Sequence, residues 1–334
     1  MIPARLVETL EDNRVRCRLC AHYCIIKEGE SGICGVRRNQ GGRLYSLNYR
    51  RVIAASSDPI EKKPLYHFLP GSRSFSLATM GCNFRCRFCQ NHSISQVDPD
   101  RGLRGEPLTP EELVRSALAA GCGSMAYTYT EPTIFFELML DTAELARSKG
   151  LKNVMITNGY TSPEGLNMLM PVMDGANVDL KAGSDGFYRQ QCGARLQPVL
   201  DTITAMRRGG LWVEVTTLLI PGLNTDTAQL DRVISFLHDL DPEIPWHVSR
   251  YYPQYRMEIP PTEAREVHSA LERAREAGLC HLYAGNLPDE QWTDTRCPGC
   301  GAVLVTRRGY STRVMGMDGG KCAACGRAIA GVWE

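Results

Sequence analysis

The chain has 334 residues, 43% hydrophobic and 22% charged, with a formal net charge of +1. These values are ordinary for a globular protein, and so small a net charge implies no polyanionic partner. No apolar run reaches membrane-spanning length, and the N-terminal stretch MIPARLVETLEDNRVRC has acidic residues and no apolar core, so we expect no signal peptide, no membrane span and a cytoplasmic location.

Residues 1–70 form an irregular N-terminal Cys-rich segment that carries Cys17, Cys20, Cys24 and Cys34. A strand–helix rhythm follows. SFSLATM (74–80) predicts a buried strand, and TPEELVRSALAAG (109–121) a helix with Thr109 as N-cap and a Glu three residues on. SMAYTYT (124–130) is the next strand, then the helical TIFFELMLDTAELARSKG (133–150) and the strand KNVMITNG (152–159). SPEGLNMLM (162–170) starts a short helix with Pro in its first position. ANVDLKA (176–182), WVEVTTLLIPG (212–222), PWHVSRYYP (245–253) and CHLYAGN (280–286) are further strands, separated by helices over 196–210, 225–240 and 261–278. Such alternation argues for a parallel α/β sheet with helices outside, as a barrel of six or seven units or a flat doubly wound sheet. No GxGxxG opens the first unit, which leaves dinucleotide binding without support. The rhythm spans residues 71–290, and a Gly-rich tail, 291–334, closes the chain.

Eleven of the fourteen cysteines fall in three tight groups; Cys122, Cys192 and Cys280 stand apart. Two-residue gaps recur, which suits thiolates converging on a metal better than a disulfide framework. Cys297-X2-Cys300 and Cys322-X2-Cys325 flank VLVTRRGYSTRVMG, a hairpin, in a zinc-ribbon-like pattern. Zinc is favoured there, with a second iron–sulfur cluster as the alternative; Arg307, Arg308 and Arg313 are too few to argue nucleic-acid binding. For the N-terminal four, zinc and an auxiliary iron–sulfur cluster are equally open.

The third group, GCNFRCRFCQN (81–91), follows the first strand directly, at the rim where barrels place their active sites. Cys82, Cys86 and Cys89 supply three ligands. Zinc would need His92 as a fourth, whereas a [4Fe–4S] cluster would keep one iron free. This CX3CX2C loop resembles that of the radical S-adenosylmethionine (SAM) enzymes, in which SAM chelates the free iron. YTYTEPT resembles in part that superfamily's second-strand motif, Gly-Gly-Glu-Pro, with Tyr129 and Thr130 where the glycines would stand, and ITNGY and VDLKAG resemble the third- and fourth-strand ends of the activating enzymes of glycyl-radical proteins. The resemblance implies that Glu131, Asn158, Asp179 and Lys181 line a SAM pocket. It also implies the partial (β/α)6-type TIM barrel of that superfamily. CRLCAHYCIIKEGESGICGVR, DPIEKKPLYHFLPGSRSFSLATMGCNFRCRFCQN, FYRQQCGARLQPVLDTI, WHVSRYYPQYRM and the closing CPGC, CAAC and GVWE are similar to the AmmeMemoRadiSam system radical SAM enzymes. That family implies an external one-electron reductant and Memo-like and AMMECR-like protein partners. The expected chemistry is reductive SAM cleavage and hydrogen abstraction from a small molecule or peptide, or installation of a glycyl radical on a partner protein. A zinc-only binding module is the competing class. Cys192, His247 and Arg250 are candidates for substrate contact at strand ends. Burial as an inert thiol, or as packed rim residues, is the plainer alternative.

Overall fold

The computed structural model describes residues 1–98, 101–287 and 289–334. Its centre is an eight-stranded sheet. Seven strands are parallel and adjacent in chain order: β1 (Arg73–Thr79), β2 (Ser124–Tyr127), β3 (Lys152–Thr157), β4 (Gly175–Asp179), β5 (Trp212–Leu219), β6 (Trp246–Arg250) and β7 (Leu282–Gly285). The eighth, Val52–Pro59, comes from the segment that looked irregular and runs antiparallel along β1, with Val52 opposite Thr79 and Pro59 opposite Arg73. Strand order runs from β7 to this edge strand, so among the described residues the two ends of the sheet are not joined by a ladder.

Helices connect successive parallel strands: α1 (Pro110–Ala119), α2 (Phe136–Ser148), α3 (Pro163–Leu169), α4 (Gln197–Arg208), α5 (Thr227–Leu240) and α6 (Ala264–Glu276). Their amphipathicity explains the arrangement. In α6, Val267, Ala270, Leu271 and Ala274 recur on one face and are buried. Strands covered on one side by helices and filled on the other are buried along their length, as β2 and most of β1 are. Thr109 starts α1 with the expected capping box: Glu112 N–H donates to its Oγ1, and its own N–H donates to Glu112 Oε2. No helix among the described residues is long and apolar enough to cross a membrane.

The N-terminal ends of the strands are closed by two distant pieces of chain. Tyr66 and His67 donate their N–H groups to the buried carboxylate of Glu214 in β5 at 2.9 and 2.8 Å. Trp212 Nε1 donates to the same carboxylate, and His247 Nε2 pairs with it at 2.7 Å. From the C-terminal tail, Val332 accepts from Leu69 N–H and donates to His67 O, each at 2.7 Å. Arg307 is buried, donates to Tyr66 O, Thr293 O and Thr295 Oγ1, and lies 4.1 Å above the Tyr66 ring. We call this closure the floor. The tail itself is the expected hairpin, Val303–Arg308 paired with Ser311–Val314.

Candidate active site

Residues at the ends of all seven parallel strands line one cavity of about 980 Å³. Cys82 follows β1, Thr128 follows β2, Asn158 follows β3, and Asp179, Leu218, Ser249 and Ala284 come from β4 to β7. The sheet therefore curls round a common space, a partial barrel whose C-terminal rim is the site. Cys82, Cys86, Cys89, Glu131, Asn158, Asp179 and Lys181, all singled out from the sequence, share this wall.

The cysteine loop is held from both sides. Gly81 leaves β1 at φ +109°, and a Cβ there would lie 2.7 Å from Val36 Cγ1 and 3.1 Å from Cys34 O. The N-terminal segment is thus packed on the loop, and His22 Nε2 reaches Asn83 O at 2.9 Å. Opposite, Arg85 N–H donates to Cys192 O at 2.8 Å and Arg87 N–H to Gln191 O at 2.9 Å. Phe84 N–H donates to Cys82 Sγ at 3.3 Å, and Cys89 Sγ lies 3.2 Å from Ser95 Oγ. Burial, with the charges of Glu131 and Cys86 nearby, pushes the Cys82 thiol up; Cys86 is raised by the hydrogen bond to Cys192 and by burial. Thiolates in such a place need a cation, and iron would supply one. The donor set fits a cluster with an open position: three thiols on a cavity wall, beside the buried Asn83 Nδ2, which has no partner.

Glu131 is buried at the start of the 3-10 turn Pro132–Phe135. Its carboxylate accepts from Thr133 N–H (3.0 Å), Thr157 Oγ1 (2.8 Å) and Asn158 N–H (2.8 Å). Burial raises its carboxyl, and these donors oppose the rise. Asn158 Nδ2 donates to Asn83 Oδ1 at 2.7 Å, linking β3 to the cysteine loop. Lys181 Nζ pairs with Asp179 Oδ2 at 2.8 Å, and both remain on the cavity wall. The resulting surface has one acid and one amide near Cys82 and an ion pair close enough to act on Cys86.

The other candidates lie elsewhere. Cys192 is fully buried behind Cys86. His247 is buried in the floor on Glu214, stacked on Tyr283 at 5.1 Å. Arg250 donates to Thr262 O and covers Tyr252. His92 stacks on Tyr255 at 4.6 Å. The sequence reading passed over Asp58, whose Oδ2 accepts from Lys63 Nζ, Tyr129 OH and Ser76 Oγ, while Oδ1 takes Lys62 Nζ. Lys62, Lys63 and Tyr129 all line the cavity. The signal was present in DPIEKKPLYHF: a charged run beside an apolar one, with Lys63 buried where a surface lysine is the ordinary outcome.

Of the flanking cysteines, Cys297, Cys300, Cys322 and Cys325 have all four sulfurs within 4.8 Å of one another. Cys297 and Cys325 are 3.6 Å apart, Cys300 and Cys322 3.7 Å. Four sulfurs bound tetrahedrally at about 2.3 Å would stand roughly 3.8 Å apart, so this quartet could hold one metal ion. The N-terminal four are close enough for Cys17, Cys34 and Cys24 to raise Cys20 after burial, and Arg37 donates to Cys17 Sγ at 3.6 Å.

The radical SAM superfamily matches residues 77–237. An uncharacterized protein of Methanocaldococcus jannaschii is 44% identical over 98% of this chain and 99% of its own length. Another from that archaeon, provisionally named a glycyl-radical enzyme activating enzyme, is 26% identical over 54% of this chain and 68% of its own. A domain of pyruvate-formate lyase-activating enzyme from Bacteroides vulgatus, 19% identical, aligns with a TM-score of 0.44 over 49% of this chain and 99% of that one. The chain belongs to the radical SAM superfamily and is an enzyme. The family implies a [4Fe–4S] cluster, SAM and a source of electrons.

Proposed function

We propose that Cys82, Cys86 and Cys89 hold the [4Fe–4S] cluster and that the adjoining cavity binds SAM and a substrate together. When bound, the cluster and SAM supply a 5′-deoxyadenosyl radical after one-electron reduction, and that radical takes hydrogen from the substrate. The observation that carries this reading is the shared wall: the three thiols, Glu131, Asn158 and the Asp179–Lys181 pair line one cavity. Glu131 has one acceptor site left on Oε2 beyond its three donors, so it can receive the SAM ammonium in a charge-assisted bond. The Asp179–Lys181 pair offers both signs to the nucleoside and carboxylate ends. The floor excludes water from the far end, which protects a reactive intermediate.

The substrate class is a small molecule or a peptide. The family likeness also suggests work alongside Memo-like and AMMECR-like proteins. The N-terminal quartet would be an auxiliary metal site beside the cysteine loop, on which its segment packs through Val36, Cys34 and His22, although its sulfurs, unlike those of the C-terminal four, are not gathered within 4.8 Å of one another. The alternative reading, installation of a glycyl radical on a partner protein, draws its support from the likeness to the activating-enzyme relative.

The test is anaerobic reconstitution, a count of iron, sulfide and zinc per chain, and addition of SAM with dithionite. About four irons with formation of 5′-deoxyadenosine supports the proposal; zinc alone with intact SAM overturns it. A glycine-centred paramagnetic signal on a co-expressed partner would favour the alternative.

A further inference from the structure

The cavity wall beside the edge strand carries a charge that cluster and SAM binding leave unused. Asp58, near the end of that strand, is buried. The 3-10 turn Ile60–Lys62 follows and returns two consecutive lysines to its carboxylate: Lys62 Nζ donates to Oδ1 at 2.9 Å and Lys63 Nζ to Oδ2 at 2.8 Å. Two ammonium groups thus share one carboxylate, which leaves one unit of positive charge. Burying such a surplus is costly unless an anion meets it. Lys63 is only 1% exposed, yet both lysines line the cavity. An ammonium has three donors, and among the described residues each of these lysines donates once. The other carboxylates at this end are engaged. Glu61 accepts from Gly71 N–H at 2.7 Å, and its charge acts on Tyr66 against the opposite charge of Arg307. Glu290 pairs with Arg308 at 2.8 Å.

Tyr129 supplies a second observation. It stands in the left-handed region at φ +63°, which is rare for an aromatic residue and gathers at ligand sites. In that conformation its ring centroid lies 4.8 Å from Lys63 Nζ and 5.8 Å from Lys62 Nζ, and its hydroxyl donates to Asp58. Its carbonyl accepts from Asn91 Nδ2 at 2.6 Å, two residues beyond Cys89, which ties the lysine pair to the cysteine loop. Resting on the reading of the cavity proposed above, we infer that Lys62 and Lys63, oriented by Asp58 and Tyr129, form a subsite for an anionic group of the substrate, a carboxylate or a phosphate. Asp58 fixes the two ammonium groups side by side, and their remaining donors can meet two oxygens of one anion. Tyr129 walls the site with a ring face that favours the cations and shields them from water. No bond is made or broken there; the subsite would hold one end of the substrate while hydrogen is taken from another.

The experiment is anaerobic titration calorimetry of the reconstituted full chain with inorganic phosphate and with acetate, iron being counted in each sample. Wild type should bind at least one of the two, and the preferred anion tells phosphate from carboxylate. Lys62→Met and Lys63→Met should each weaken that binding about tenfold, the size of one lost charge-assisted bond, and Lys62→Arg should restore it. If Lys63→Met does not fold, Lys62→Met at the half-exposed lysine carries the same expectation. Wild type that binds neither anion, or binding that Lys62→Met leaves unchanged, would make the pair a structural ion cluster and overturn the inference. The titration is repeated with SAM present. Anion binding that persists supports a substrate subsite, whereas binding abolished by SAM would give the subsite to the carboxylate of SAM and overturn it. Lysine-dependent anion binding by a chain that takes up no iron would support the subsite and remove only the cluster assignment.

Discussion

Arg37 and Glu137 are both buried, and the guanidinium of one meets the carboxylate of the other. The same guanidinium donates to Arg5 O and to Cys17 Sγ, so one side chain ties the N-terminal segment, α2 and the first cysteine group together. Removing it strands a buried carboxylate with only the Arg5 N–H. Arg37→Met should therefore cost about 3–5 kcal/mol in urea denaturation, and Arg37→Met/Glu137→Leu should recover most of that loss. A different outcome is expected at the cysteine loop. Cys86→Ala should abolish SAM cleavage and lower iron content while the fold persists, since the loop is also held by the backbone bonds to Gln191 and Cys192. Circular dichroism and iron analysis on one sample would separate the two effects; retained cleavage would refute the ligand assignment. None of the Arg37 pairing was legible in the sequence, because partners 100 residues apart leave no local pattern.

Elements were easier to foresee than their edges. All seven parallel strands and their connecting helices follow from periodicity and caps, signals that lie within a dozen residues. The edge strand Val52–Pro59 escaped, because AASSDP within it has little apolar alternation and its pairing with β1 supplies what its own sequence lacks. The site divided in the same way. The three thiols and the strand-end residues were visible as motifs, whereas the setting of His247 on Glu214 needed the fold. Two predictions belong at this scale. Gly81→Ala brings a methyl into Val36 at a backbone angle that L side chains avoid. It should push the N-terminal segment off the cysteine loop and reduce iron retention on gel filtration relative to wild type. The second concerns pH. Glu243 holds the tail to the barrel, accepting from Arg327 at 2.6 Å and pairing with His281 at 3.2 Å. The His281 bond first, and then Arg327, bring its carboxyl down from an ordinary 4.5 to about 2. A lowered carboxyl stabilises the folded state fully above the unfolded value, and that contribution is lost as pH falls from about 4.5 towards about 2. Glu243→Gln should flatten thermal stability against pH in that window; an unchanged slope would rule the group out.

At the scale of the whole molecule, the tail keeps its own small sheets but is packed against the barrel. Its hairpin reaches the cavity through Arg307, Arg308 and Tyr310, and its last residues complete the floor. If the C-terminal quartet binds a metal, Cys300→Ser/Cys325→Ser, at its two exposed sulfurs, should remove that metal and leave the iron count unchanged. Metal analysis would show it, and iron lost in step with the second metal would mean that the sites are not separate.

The floor also orders events in time. Its bonds join residues as far apart as His67 and Ala330, separated by 263 positions, whereas neighbouring strands of the sheet are linked over short connections. Closing so long a loop is entropically the most demanding step, and contacts of that span tend to form last in folding. The nascent or refolding barrel would then pass through a stage with rim and cysteine loop in place and the opposite end still open. Pulse-labelling hydrogen exchange can see this: the amides of Leu69 and Val332 should gain protection after those of β5, and simultaneous protection would contradict it.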